Sequence, residues 1–224
     1  MIYLSGTLRN LTRRLSEIAM TQAYAAKFQA GMSIGQIEAE YMITLEDLMV
    51  SYLDSARPIT AFRNEFRRAA NDAMILAVAA GWADGEGYGP IPDSLNTWVL
   101  GRIEQEVTFI TGVFEELKQL RKEGDPEPMD SFVGARVAGY TASIGGVYNY
   151  AVMMAKKLSM GVWQLGRTER HCGTCAGLHG QVRTLRWFLD NGYIPRQPGN
   201  PNLECGGWHC DCSIVDPETG KQII

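Results

Sequence analysis

Apolar residues recur at helical spacing through the first two thirds of the chain, and the recurrence stops near Trp163. In residues 8–30, Leu8, Leu11, Leu15, Ile18 and Ala19 share one stripe while Arg9, Arg13 and Arg14 lie off it. That pattern predicts an amphipathic helix ending near Gly31. A shorter helical stretch is expected around Ile34, Ile37 and Tyr41. Thr44-Leu-Glu-Asp47 resembles a capping box, which predicts a new helix start and a run to about Ala56. Pro58 suits the first turn of the next helix and Gly81 its C-terminal stop. Ala83 to Pro92, rich in glycine and proline, reads as a loop. From Asp93 or Ser94 a long helix carries Trp98, Val99, Ile103, Val107, Ile110, Phe114 and Leu117 on one face, and Asp125-Pro-Glu-Pro128 ends it.

Met129 to Met160 is also helical in pattern, but Gly134, Gly139, Gly145 and Gly146 interrupt it. Each glycine costs a helix about 1 kcal/mol relative to alanine. Four of them imply a neighbouring helix at close range, or a kink at Gly145-Gly146. After Trp163, glycine, proline, tryptophan and cysteine dominate, as in a compact module of short strands and turns. Gln181-Val-Arg-Thr184 has the composition of a strand, and Leu185 to Asn191 of a short helical turn stopped by Gly192. The expected fold is therefore mainly α: an elongated helical region over residues 1–162, then a small metal-stabilised module over 163–224 with short strands. Hydrophobic content of 46% and charged content of 21% agree with a folded chain rather than a disordered one.

All five cysteines lie between residues 172 and 212, in Cys172-Gly-Thr-Cys175 and Cys205-Gly-Gly-Trp-His-Cys210-Asp-Cys212. A Cys-x-x-Cys knuckle followed some thirty residues later by a second cysteine group has the spacing of a tetrahedral metal site. Gly173 would give the first knuckle backbone freedom, and Gly206 and Gly207 the second. Disulfides are the competing explanation. An odd cysteine count, a cysteine-free first 171 residues and a start, Met1-Ile-Tyr-Leu-Ser-Gly, without secretory features argue against them and for synthesis in a reducing cytoplasm. Thiolate softness and tetrahedral preference select zinc, one ion per chain. Cys172 and Cys175 supply two ligands and two more come from Cys205, Cys210 and Cys212. Cys205 with Cys210 is favoured, because Cys-x-Cys ligation strains its turn; Cys210 with Cys212 is the rival. His171 and His209 adjoin cysteines, but five thiolates already oversupply four positions, and His179 is expected to pack or hydrogen-bond within the module. A module this small lacks a sufficient core of its own, so the ion would be structural.

From Trp163 to Ile214 the chain resembles the C-terminal domain of the phage head morphogenesis proteins, the Mu F-like minor head proteins of tailed phages. Trp163, Cys172, Cys175, Leu178, Gly180, Pro195, Cys210 and Cys212 match that family's order of motifs. The preceding helix, Arg136 to Lys157 with Tyr148-Asn149-Tyr150, is similar as well. Many members close with His-Pro-x-Cys-x-Cys where this chain has Cys205-Gly-Gly-Trp-His-Cys210-Asp-Cys212, so Cys205 takes the histidine's place. The resemblance implies a non-enzymatic virion component of the head, acting in capsid assembly near the portal or in DNA packaging or ejection. Its partners would be the portal or major capsid protein, with the packaged DNA as a further contact.

Other function classes find less support. Net charge is −4, which calls for neither nucleic acid nor an anionic membrane, and no apolar run reaches the roughly 18 residues of a membrane span. Neither a deaminase-type zinc motif, a Gly-x-Ser-x-Gly elbow nor a phosphate loop is present. A zinc-ribbon nucleic-acid adaptor is the alternative reading. It rests on the clusters Arg9, Arg13, Arg14 and Arg63, Arg67, Arg68, and on Arg183 and Arg186 beside Trp187, where a base could stack.

Overall fold

The computed structural model of the chain describes residues 32–54, 58–87, 89–123, 126–167, 170–208 and 210–224. The helix expected over residues 8–30 lies outside them. Among the described residues four long helices come first: α1 (Ile34–Asp54), α2 (Ile59–Asp84), α3 (Asp93–Glu123) and α4 (Pro126–Ala155). The smaller elements follow as β1 (Met160–Gln164), α5 (Gly173–Leu178), β2 (Val182–Thr184), α6 (Leu185–Asp190) and β3 (Ser213–Val215). The molecule is mainly helical with a C-terminal region of short strands, as the hydrophobic pattern predicts.

Each long helix buries one stripe. In α1, Ile37, Tyr41, Leu45, Met49 and Tyr52 recur every three or four residues and are all buried. They meet Phe62 and Phe66 of α2, Val107, Ile110 and Phe114 of α3, and Val137, Tyr140 and Ile144 of α4 in one core. Tyr52, Phe62 and Phe114 form edge-on ring pairs with centroids 4.2–5.4 Å apart. A buried ion pair, Arg102 with Glu106, sits on the α3 stripe and takes Ser143 Oγ of α4 as a donor to Glu106 at 2.9 Å. Burial pushes the Glu106 carboxyl up and the Arg102 guanidinium down, against their mutual attraction.

Several element boundaries differ from the sequence expectation. Helix α1 is continuous through Thr44, whose hydroxyl donates to the Glu40 carbonyl at 2.8 Å. The start instead lies at Ser33, which accepts from the Gln36 N–H and donates its own N–H to Gln36 Oε1 at 2.8 Å. Helix α2 runs past Gly81 to Asp84. Gly81 is a crossing point: a methyl there would collide with the Tyr148 carbonyl and the Ala151 side chain of α4. Helix α4 is unbroken across Gly145-Gly146, so those residues make no break in it. Gly145 faces the Glu38 carboxylate of α1 and Gly146 the backbone of Gln197. The close approaches thus involve one neighbouring helix and one loop.

A second core begins where the first ends. Val152 and Met153, from the last turns of α4, pack with Trp163, Leu178, Leu185, Phe188, Ile194, Leu203 and Ile214. The sheet has the order β2-β1-β3, all antiparallel, with Gly161 opposite Arg183 and Trp163 opposite Ile214. Trp163 is fully buried beneath it. No described helix is long and apolar enough to cross a membrane.

Candidate metal centre

Two segments that the sheet and second core bring together carry the five thiols. Cys172 is the N-cap of α5, in extended conformation, and its Sγ accepts the Cys175 N–H at 3.4 Å. That bond turns the first knuckle inward and leaves Cys175 buried. Gly173 is helical, so the freedom expected of it is not used. Its missing side chain instead admits the Glu204 carboxylate, which accepts the Gly173 N–H at 2.7 Å. The Glu204 N–H returns a bond to Thr174 Oγ1 at 3.3 Å, stitching the Cys205 segment onto the knuckle.

The second knuckle does use left-handed glycines: Gly206 has φ 61° and Gly207 φ 74°. A side chain at Gly207 would strike the Gln197 carbonyl. Asn200 is the organiser of this loop. It is buried, its N–H donates to the Gly206 carbonyl at 3.0 Å, and its amide donates to the Gly192 carbonyl at 2.9 Å. Cys212 is buried directly before β3, so the sheet sets its position.

Among the described residues, the Sγ atoms of Cys172, Cys175 and Cys205 lie within 4.8 Å of one another, as do those of Cys175, Cys210 and Cys212. Cys175 belongs to both triads. All five cysteines are free thiols. A tetrahedral zinc with bonds near 2.3 Å spaces its sulfurs by roughly 3.8 Å. The triads therefore need only a small contraction to grip an ion, and the all-sulfur donor set suits a soft or borderline metal. The cluster can hold a metal ion. Burial, then the bond to Cys172, keeps the Cys175 thiol far above the ordinary value, and burial also raises Cys205 and Cys210. Burial acts on Cys172 in the same sense, but bonds from Cys175 and Cys205 outweigh it and lower that thiol. A metal would displace these protons.

The remaining candidates separate from the cluster. His179 is exposed at the C-cap of α5 rather than packed inside, and His171 is half-buried beside Cys172. His209 lies outside the described residues. Trp187 packs against Phe188 and Tyr193 with Arg183 over its ring, and Arg186 is paired to Asp190. Arg67 is paired to Glu104. Arg63 and Arg68 are exposed, whereas Arg9, Arg13 and Arg14 lie outside the described residues. Sequence reasoning notes Glu204 only as an acidic flank of the cysteines and misses both its bond to Gly173 and Asn200, since a single polar residue in a glycine-rich loop carries no periodic signal.

No family model, curated protein or solved structure matches the chain.

Proposed function

We propose that this chain is a non-enzymatic structural component of a tailed-phage head, a minor head protein whose C-terminal module is held by one structural zinc. The observation that carries the reading is the convergence of all five cysteines on one cluster. Of the other residues on which the resemblance rests, Trp163 and Leu178 pack in the same core as Cys175 and Cys212, Pro195 is buried in its loop, and Gly180 is exposed. Zinc is preferred on donor chemistry. The proposed ligands are Cys172, Cys175 and Cys205, which already converge, with Cys210 completing the tetrahedron. Four thiolates leave no position for substrate or activated water, which supports a structural rather than catalytic ion.

The docking surface on this reading is the outer face between α3 and α4. Gly112, Ala138, Gly139 and Ala142 form a floor of small residues there, walled by the exposed rings of Phe109 and Trp208. A portal or capsid subunit presenting bulky apolar side chains would fill it. The test is a whole-particle reconstruction together with incorporation of a Gly139→Leu variant. Density for the chain in the head, and loss of Gly139→Leu from heads, are the expected results; a chain absent from particles rejects the reading. The nucleic-acid alternative gains nothing from Trp187, whose face is already covered by Arg183.

A further inference from the structure

The loop that carries Cys205 is anchored to the helical body by side chains remote in sequence from any thiol. Asn149 of α4, 6% exposed, donates its amide to the Pro195 carbonyl at 3.1 Å. Arg102 of α3, 7% exposed, donates to the Pro198 carbonyl at 3.1 Å, held in place by Gln105 and Glu106. Between these anchors the backbone of Gln197 rests on Gly146, where even a methyl would be 2.9 Å from its Cα. From Gln197 the connection reaches the knuckle twice. Its carbonyl is seated on Gly207, and its side-chain oxygen accepts from Asn200, which bonds the Gly206 carbonyl. A path of direct contacts thus runs from α3 and α4 to the residues beside Cys205.

Leaving a buried amide or guanidinium donor unpaired is costly: Asn149 gives its amide to the Pro195 carbonyl, and Arg102 shares its guanidinium between Gln105, Glu106 and the Pro198 carbonyl, with its Nε left without a partner. Helices and loop therefore hold one another, and a shift of the loop would move Cys205. We propose that Asn149 and Arg102 are positioning residues for the metal centre, preorganising the Cys205 knuckle and slowing loss of the ion. This rests on the zinc reading above. Where the anchors raise the equilibrium affinity for the ion, linkage makes the effect reciprocal, and a bound metal steadies the loop against the helices.

The test uses full-length, zinc-loaded protein and the rate at which zinc passes to a chromogenic chelator. Asn149→Ala and Arg102→Met should release zinc about tenfold or more faster than the parent, the usual scale for residues that support metal ligands. Phe62→Leu, in the aromatic cluster away from the loop, supplies a variant with a comparable or greater fall in Tm and should release zinc at the parental rate. Parental release from Asn149→Ala overturns the proposal, as does equal acceleration by Phe62→Leu. If Arg102→Met does not fold, Asn149→Ala decides alone. A parent protein that binds no zinc sinks the zinc reading itself, and this inference with it.

Discussion

Five thiols surround a place where four would suffice, and the surplus makes single substitutions informative. Cys172, Cys175 and Cys205 form one triad and Cys175, Cys210 and Cys212 the other, with Cys212 placed by the sheet and buried in the second core. If Cys205 and Cys210 complete the site, Cys205→Ser should lose most of its zinc. Cys212→Ser should keep one ion per chain and lose only packing, about 1 kcal/mol. Elemental analysis of both variants checks this, and the reverse pattern would make Cys210 and Cys212 the ligand pair. The cysteines, Trp163 and Leu178 were legible in the sequence because spacing and residue chemistry mark them. Asn200 was not, and Asn149 stood out only within the Tyr148-Asn149-Tyr150 resemblance, not for the bond it makes. Each acts through carbonyls tens of residues away or across a loop, and such partners have no signature in local order.

The long helices were legible because each buries a stripe with a period near 3.6 residues. Their ends were harder to read. Thr44 carries a capping pattern but sits mid-helix, where its hydroxyl finds a carbonyl one turn back. In sequence Gly81 resembles a stop because isolated glycines often end helices; in the fold the crossing of α2 and α4 demands a residue without a side chain. Gly81→Ala should therefore destabilise despite alanine's higher helix propensity, by about 1–3 kcal/mol from overpacking. A lower Tm by far-ultraviolet circular dichroism is the expected reading; a raised Tm would show that α4 yields at no cost. On the opposite side, Gly139 leaves open the groove beneath Trp208, and leucine there should fill it without disturbing zinc content.

The described residues of the molecule form two cores that share one helix. The helical core has more than two dozen buried apolar side chains of its own, whereas the second core is small and surrounds the thiols. Structural zinc typically adds on the order of 10 kcal/mol of apparent stability to a module this size. Chelation should therefore expose residues after about Trp163 to protease while α1 to α4 keep most of their far-ultraviolet signal. Continued protection of the module would mean that its apolar core suffices. Whether the cluster holds zinc is decided by the metal content of the purified protein under reducing conditions, read by native mass spectrometry alongside elemental analysis. One zinc per chain, absent when Cys172 and Cys175 are both serine, is the predicted result. A metal-free chain with a folded, protease-resistant C-terminal module would contradict it.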